Sequence, residues 1–118
     1  MSTQHPEKIA LHLKSRTLEL AYGGQSYQLP AEYLRVHSPS AEVRGHGRGQ
    51  EKLQTGKRQV ALIGIEPSGH YALKLVFDDG HDSGLYDWNY LHDLALNQER
   101  YWQRYLDKLA EEGGSRDH

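Results

Sequence analysis

The chain has 118 residues, no cysteine and a formal charge of −2. That length allows one core and one domain. The lack of thiols excludes disulfides, thiolate nucleophiles, iron–sulfur ligation and Cys-based zinc sites within these residues. No apolar run approaches the roughly 18 residues of a membrane span. "MSTQHPEK" lacks the basic-then-apolar pattern of a signal peptide, so a cytoplasmic address is expected.

Residues 1–5 read as a disordered start, followed by a single α+β domain over 6–112. In "KIALHLK", Ile9, Leu11 and Leu13 alternate with polar residues, which marks a half-buried strand. "TLELAY" repeats the alternation, Gly23-Gly24 signals a tight hairpin, and "QSYQL" brings Tyr27 and Leu29 to the same face. The three form a meander. Pro30 suits the first turn of a short helix over 30–36, "AEYLRV", which Ser38-Pro39 ends.

Residues 44–58, "RGHGRGQEKLQTGKR", hold five Lys/Arg against one Glu, leaving nine basic against fifteen acidic residues elsewhere. This stretch reads as a mobile basic loop. Its Arg44, Arg48, Lys57 and Arg58 could contact phosphate, but no aromatic side chain accompanies them for base stacking, and no nucleic-acid partner is expected. "VALIGIE" is apolar on both faces and reads as a central strand. "HYALKLVF" alternates Tyr71, Leu73, Leu75 and Phe77 inward, and Asp79-Gly80 turns the chain into a last strand at "HDSGLY". Turn chemistry accounts for Asp78-Asp79-Gly80 without an acid–base pair. Asp87 is placed to cap the following helix. The stripe Leu91, Leu94, Ala95, then Tyr101, Trp102, Tyr105, Leu106, Leu109 has helical spacing broken near Asn97, giving a C-terminal helix over 98–112 expected to pack on the sheet. Residues 113–118 read as a disordered tail. The class is α+β, a small, mainly antiparallel sheet domain made of two hairpin or meander units, with a short helix and a C-terminal helical segment.

Two stretches, "LPAEYLR" and the "DGH-x-SG-x-Y-x-W-x-x-L" pattern at 79–91, resemble the γ-butyrobetaine hydroxylase-like N-terminal domain family, also called domain of unknown function 971. The likeness spans about residues 6–96. It implies that the segment after Leu34-Arg35 corresponds to a Cys-x-Cys-x-x-Cys run that, in the hydroxylases, binds zinc with a histidine. Those positions here are Ser38, Ser40, Val43 and His81, so three of four ligands are replaced and no structural zinc is expected. Nothing in the sequence has the spacing of a two-His, one-carboxylate iron site.

No catalytic residue, cofactor or resident metal is therefore expected. A mixed site built from His37, His46 and His81 with Asp82, or with Asp78 or Asp79, is the alternative, taking zinc or iron. The resemblance implies a non-catalytic accessory or protein-binding role linked to iron or Fe–S handling, because the family occurs alone in bacteria and fused to Fe–S scaffold ATPases. The other reading is a degenerate metal-binding module or a dissociable subunit of a 2-oxoglutarate/Fe(II) oxygenase. The expected partner surface joins residues 33–47 to His81–Trp88, through Arg35, His37, His81, Tyr86 and Trp88.

Overall fold

The computed structural model describes residues 5–39 and 53–117. Strands β1 (Lys8–His12), β2 (Thr17–Tyr22) and β3 (Gln25–Pro30) form an antiparallel meander. The register pairs Leu11 with Leu18, Leu18 with Leu29, and Leu20 with both Ile9 and Tyr27. All six therefore share one face, as the period-2 pattern requires. Gly23 and Gly24 both have positive φ, 54° and 87°, between the paired ends Tyr22 and Gln25. That is the backbone a two-residue hairpin needs. Leu13, expected inward, lies past the end of β1 and is exposed.

The chain then enters helix α1 (Ala31–Val36), which ends one residue before Ser38-Pro39. The second sheet has the order β4 (Leu62–Ser68), β5 (Ala72–Phe77), β6 (Leu85–Asp87), all antiparallel. Here the sequence misleads. "VALIGIE" forms an edge strand, and the central place belongs to β5, whose Leu73, Leu75 and Phe77 are buried. Pairing jumps from Leu62–Phe77 to Gly64–Val76, leaving Ile63 as the extra residue of a bulge. Ile63 points to solvent, and the bulge shifts the alternation beyond it, so that Leu62 and Ile65, three residues apart, both face the core. Tyr71 also lies outside the ladder and is exposed, and β6 uses only the last two residues of "HDSGLY" together with Asp87.

Helix α2 (Trp88–Leu96) starts where expected, with the Asp87 carboxylate accepting from the Tyr90 N–H at 2.8 Å. It ends at Asn97, whose amide donates to the Asp93 carbonyl and carboxylate. This side-chain competition for the ladder breaks the helix. Helix α3 (Gln98–Glu111) closes with Gly113 at φ 67°, the Gly114 N–H on the Leu109 carbonyl and the Gly113 N–H on the Ala110 carbonyl. That pair of bonds is a Schellman end. It redirects residues 113–117, read from sequence as a disordered tail, against the body of the protein. The Gly56 N–H donates to the Ser115 carbonyl and the Arg58 N–H to the Arg116 carbonyl.

One core joins the inner faces of both sheets to α1 and α2. A second cluster of Val36, Tyr105 and Leu109, with Leu53, Trp102 and Leu106 against it, forms where α3 meets α1. Leu91, Leu94 and Ala95 of the C-terminal stripe thus enter the main core with the sheets, while Tyr105, Leu106 and Leu109 of α3 pack against α1. Among the described residues no helix is long and apolar enough to cross a membrane.

Tyr22 carries the one buried side-chain polar atom without a hydrogen-bond partner among the described residues. Its hydroxyl is buried beside Tyr27 and His92 without a hydrogen-bond partner there, and burial pushes its pKa up to about 12. Leaving a buried hydroxyl unpaired is unfavourable, and removing it keeps the ring's packing. Tyr22→Phe is expected to be neutral or to stabilise by up to about 1 kcal/mol. Urea denaturation checks this, and a clear loss of stability would show that the hydroxyl has a partner.

Candidate functional site

The residues singled out from the sequence converge on α1. All six of its residues are buried, including Glu32 and Arg35. A helix this short does not persist on propensity, so packing must hold it, and its last carbonyls need donors. The Tyr86 hydroxyl donates to the Leu34 carbonyl at 2.5 Å, and the His37 Nδ1–H donates to the Tyr33 carbonyl at 2.8 Å. The Ser38 N–H reaches the Arg35 carbonyl, and the Tyr90 hydroxyl donates to the His37 carbonyl at 2.6 Å. In return the Tyr33 hydroxyl donates to the Leu94 carbonyl, near the end of α2.

The two charges of α1 are answered on opposite sides. Arg35 Nε donates to Asp79 at 2.9 Å, and Lys57 reaches the same carboxylate oxygen at 3.1 Å. Burial alone would raise the Asp79 pKa. The His81 backbone N–H, Lys57 and Arg35 outweigh it and hold the carboxyl below its ordinary value. Glu32 accepts two 2.7 Å bonds from Arg116, one to each carboxylate oxygen.

Ser38 and His81 meet beneath this arrangement. The hydroxyl lies 2.8 Å from His81 Nε2, and both residues are almost completely buried. Gly84 lets them fit, since a Cβ there would stand 2.5 Å from Ser38 Oγ. These are two of the four positions where the resemblance places zinc ligands. Ser40 and Val43 lie outside the described residues. The donor set does not fit zinc: one imidazole is present, a neutral hydroxyl is a poor ligand and valine is none. The Ser38–His81 contact is also a direct hydrogen bond, shorter than the roughly 3.4 Å between ligand atoms on a tetrahedral zinc with about 2.1 Å bonds. Among the described residues no three His, Asp or Glu side chains are grouped to hold an ion.

Of the alternative metal residues, His81 is in this joint, Asp82 is exposed beside it, and His46 lies outside the described residues. His37 sits apart from His81, among the rings of Tyr33, Tyr101 and Tyr105. The five residues expected on a partner surface are turned inward, Arg35, His37, His81 and Tyr86 around α1 and Trp88 into the main core. Arg35, His81, Tyr86 and Trp88 are buried and His37 is half-buried. Trp88 donates its indole N–H to the His70 carbonyl and carries the His5 ring on its face. The outward members of the same stretch are Asp82, Ser83, Leu85 and Asp87, which alternate with the buried ones. Sequence reasoning places this stretch on the partner surface but singles out its inward residues, naming Asp82 only as a metal alternative and Asp87 only as a cap. Within the basic segment, Lys57 and Arg58 are engaged with Asp79 and Asp117, while Arg44 and Arg48 lie outside the described residues.

The sequence profile described as "Gamma-butyrobetaine hydroxylase-like, N-terminal" covers residues 9–92. The chain belongs to this family. A protein known from an NMR solution structure is 58% identical, with a TM-score of 0.88 over 98% of this chain and 92% of its own. A second NMR solution structure is 49% identical, with a TM-score of 0.81 over 98% and 86%. A crystal structure of a protein of unknown function from Acidithiobacillus ferrooxidans, of the DUF971 family, is 35% identical, with a TM-score of 0.64 over 77% and 92%. No curated protein matches the chain.

Two predictions follow from this geometry. Ser38→Ala leaves His81 without its hydroxyl partner in a dry joint and should cost about 1–3 kcal/mol. Gly84→Ala should cost a similar amount by overpacking, about 1–3 kcal/mol. Because the new methyl clashes with the removed oxygen, the double variant should lose less than the sum, and a denaturation cycle reads that coupling.

The second prediction concerns pH. Burial pushes the His37 imidazole below its ordinary 6.5, and the nearby Arg104 adds to this, against the Tyr33 carbonyl contact. The folded state then binds a proton less readily than the unfolded one. His37's contribution is complete above about pH 6.5 and is lost as pH falls toward its folded value. Unfolding free energy measured from pH 8 to 5 should drop more steeply in the native protein than in His37→Gln.

Proposed function

We propose that this chain is a non-catalytic, cytoplasmic accessory domain that binds a protein partner engaged in iron or Fe–S handling. The observation that carries the reading is how its chemically capable side chains are used. Arg35, Asp79, Lys57, Ser38, His81, Tyr86 and Tyr90 all make contacts that hold α1 and its surroundings. Ser38 is too buried to serve as a nucleophile, and His81 is bonded to it rather than facing a cleft. Large apolar side chains are exposed instead: Ile63, Tyr71 and Leu85 lie on or beside the second sheet. Exposed apolar groups rimmed by charge suit association with another protein.

The partner surface we favour is the outward row of the 81–88 stretch, Asp82, Ser83 and Leu85, which the buried residues between them position. The iron connection comes from the contexts that the family resemblance implies.

Leu85→Lys and Asp82→Lys should weaken capture of a specific partner from cell extract at least about tenfold, since one lost contact of about 1.4 kcal/mol is tenfold in affinity. Their melting temperatures should stay close to that of the native protein. Equal capture by both variants would remove this surface. Stoichiometric metal in purified protein, with unfolding on its removal, would favour the metal-module reading instead.

A further inference from the structure

A recess of about 480 Å³ opens between the start of α1 and the start of α3, lined by Glu32, Tyr33, Glu99 and Trp102 and bounded by Arg116. Its contents show what it recognises. The Arg116 guanidinium makes two parallel bonds to the buried Glu32 carboxylate and lies 5.1 Å from the centre of the Trp102 ring. A planar cation gripped by a carboxylate fork and covered by an indole face is a complete guanidinium site. The group that fills it comes from a short segment beyond the helix end at Gly113-Gly114. That segment is tied down by two backbone hydrogen bonds and the partly exposed Arg58–Asp117 pair. Such exposed pairs are individually weak. The recess extends past Arg116 toward exposed Glu99, and the protein outside residues 44–58 is acidic, so its charge favours an incoming cation.

The geometry points to a peptide-binding site for an arginine side chain, filled in cis by Arg116, which an arginine of a partner protein displaces. It rests on the protein-binding reading only for the source of that arginine. The site itself stands on the Arg116 contacts.

The test uses the full chain and N-acetyl-arginine-N-methylamide, with NMR of the Trp102 indole and the Glu32 amide. Arg116→Ala should bind the probe saturably in the millimolar range. The native protein should bind at least about twofold more weakly, because a tethered competitor at millimolar effective concentration fills a site of millimolar affinity about half the time. Adding Glu32→Gln to Arg116→Ala should abolish binding, and the lysine analogue should bind less well because it cannot form the fork. In the native protein, excess probe should speed hydrogen exchange at the Gly56 and Arg58 amides as the tail lifts. A folded Arg116→Ala that shows no saturable shift overturns the proposal, as does equal affinity with and without Arg116. An Arg116→Ala chain that fails to fold also overturns it, by making Arg116 a structural staple. None of these results touches partner capture through Leu85, so the two readings fail separately.

Discussion

Every residue of α1 is buried, and so every polar group it carries must be satisfied from within the protein. Six residues give too few internal hydrogen bonds to stabilise a helix alone. The remainder of the fold supplies the difference. Tyr33 and Leu34 enter the main core, Val36 enters the second cluster, and each large side chain so buried contributes about 1.5–3 kcal/mol. Polar groups follow the same logic: Tyr86 and Tyr90 bring hydroxyls to backbone carbonyls, Asp79 meets Arg35, and Arg116 meets Glu32.

Most letters of the family pattern at 79–91, and Asp87 and Tyr90 between them, thereby have a structural use in this chain. Asp79 pairs with α1, His81 pairs with Ser38, Gly84 leaves room for Ser38, and Tyr86 and Tyr90 cap carbonyls of the helix and its exit. Asp87 starts α2, and Leu91 enters the core. In this chain a stretch that reads like a ligand motif is the wall of a socket. At two of the positions where the resemblance places a metal, a buried serine–histidine hydrogen bond stands, worth far less than an ion held by thiolates. Stability therefore falls to apolar packing. That accounts for the second cluster, in which α3, beyond the matched residues 9–92, covers the far side of α1.

Local features were legible in the sequence wherever the cause was local. The first meander, the Gly23-Gly24 turn, the six-residue helix, the Asp87 cap and the break at Asn97 each rest on neighbours within a few residues. What escaped depends on distant pairing. Nothing in "VALIGIE" announces a bulge, because the extra residue exists only relative to β5. Nothing in the tail announces its order, because Ser115 and Arg116 are fixed by Gly56, Arg58 and Glu32 far away in the chain. The resemblance did pair Ser38 with His81 across 43 positions, a contact that periodicity does not reveal.

The same geometry separates what this protein could react with from what it can touch. Along 81–87, burial alternates with exposure around β6, so each inward residue that fixes α1 sets the position of an outward neighbour. Tyr86 cannot move without shifting Leu85 and Asp87, and His81 cannot move without shifting Asp82. A site of this kind has its chemistry sealed and its presentation rigid. A turnover site has the opposite need, since its reactive groups must meet a substrate. Rigid presentation lowers the ordering cost of association, because the side chains that meet a partner are already held in place. The physical consequence of an immobilised helix with its polar groups already engaged is an edge held in a fixed shape, and the proposed binding role draws on such an edge.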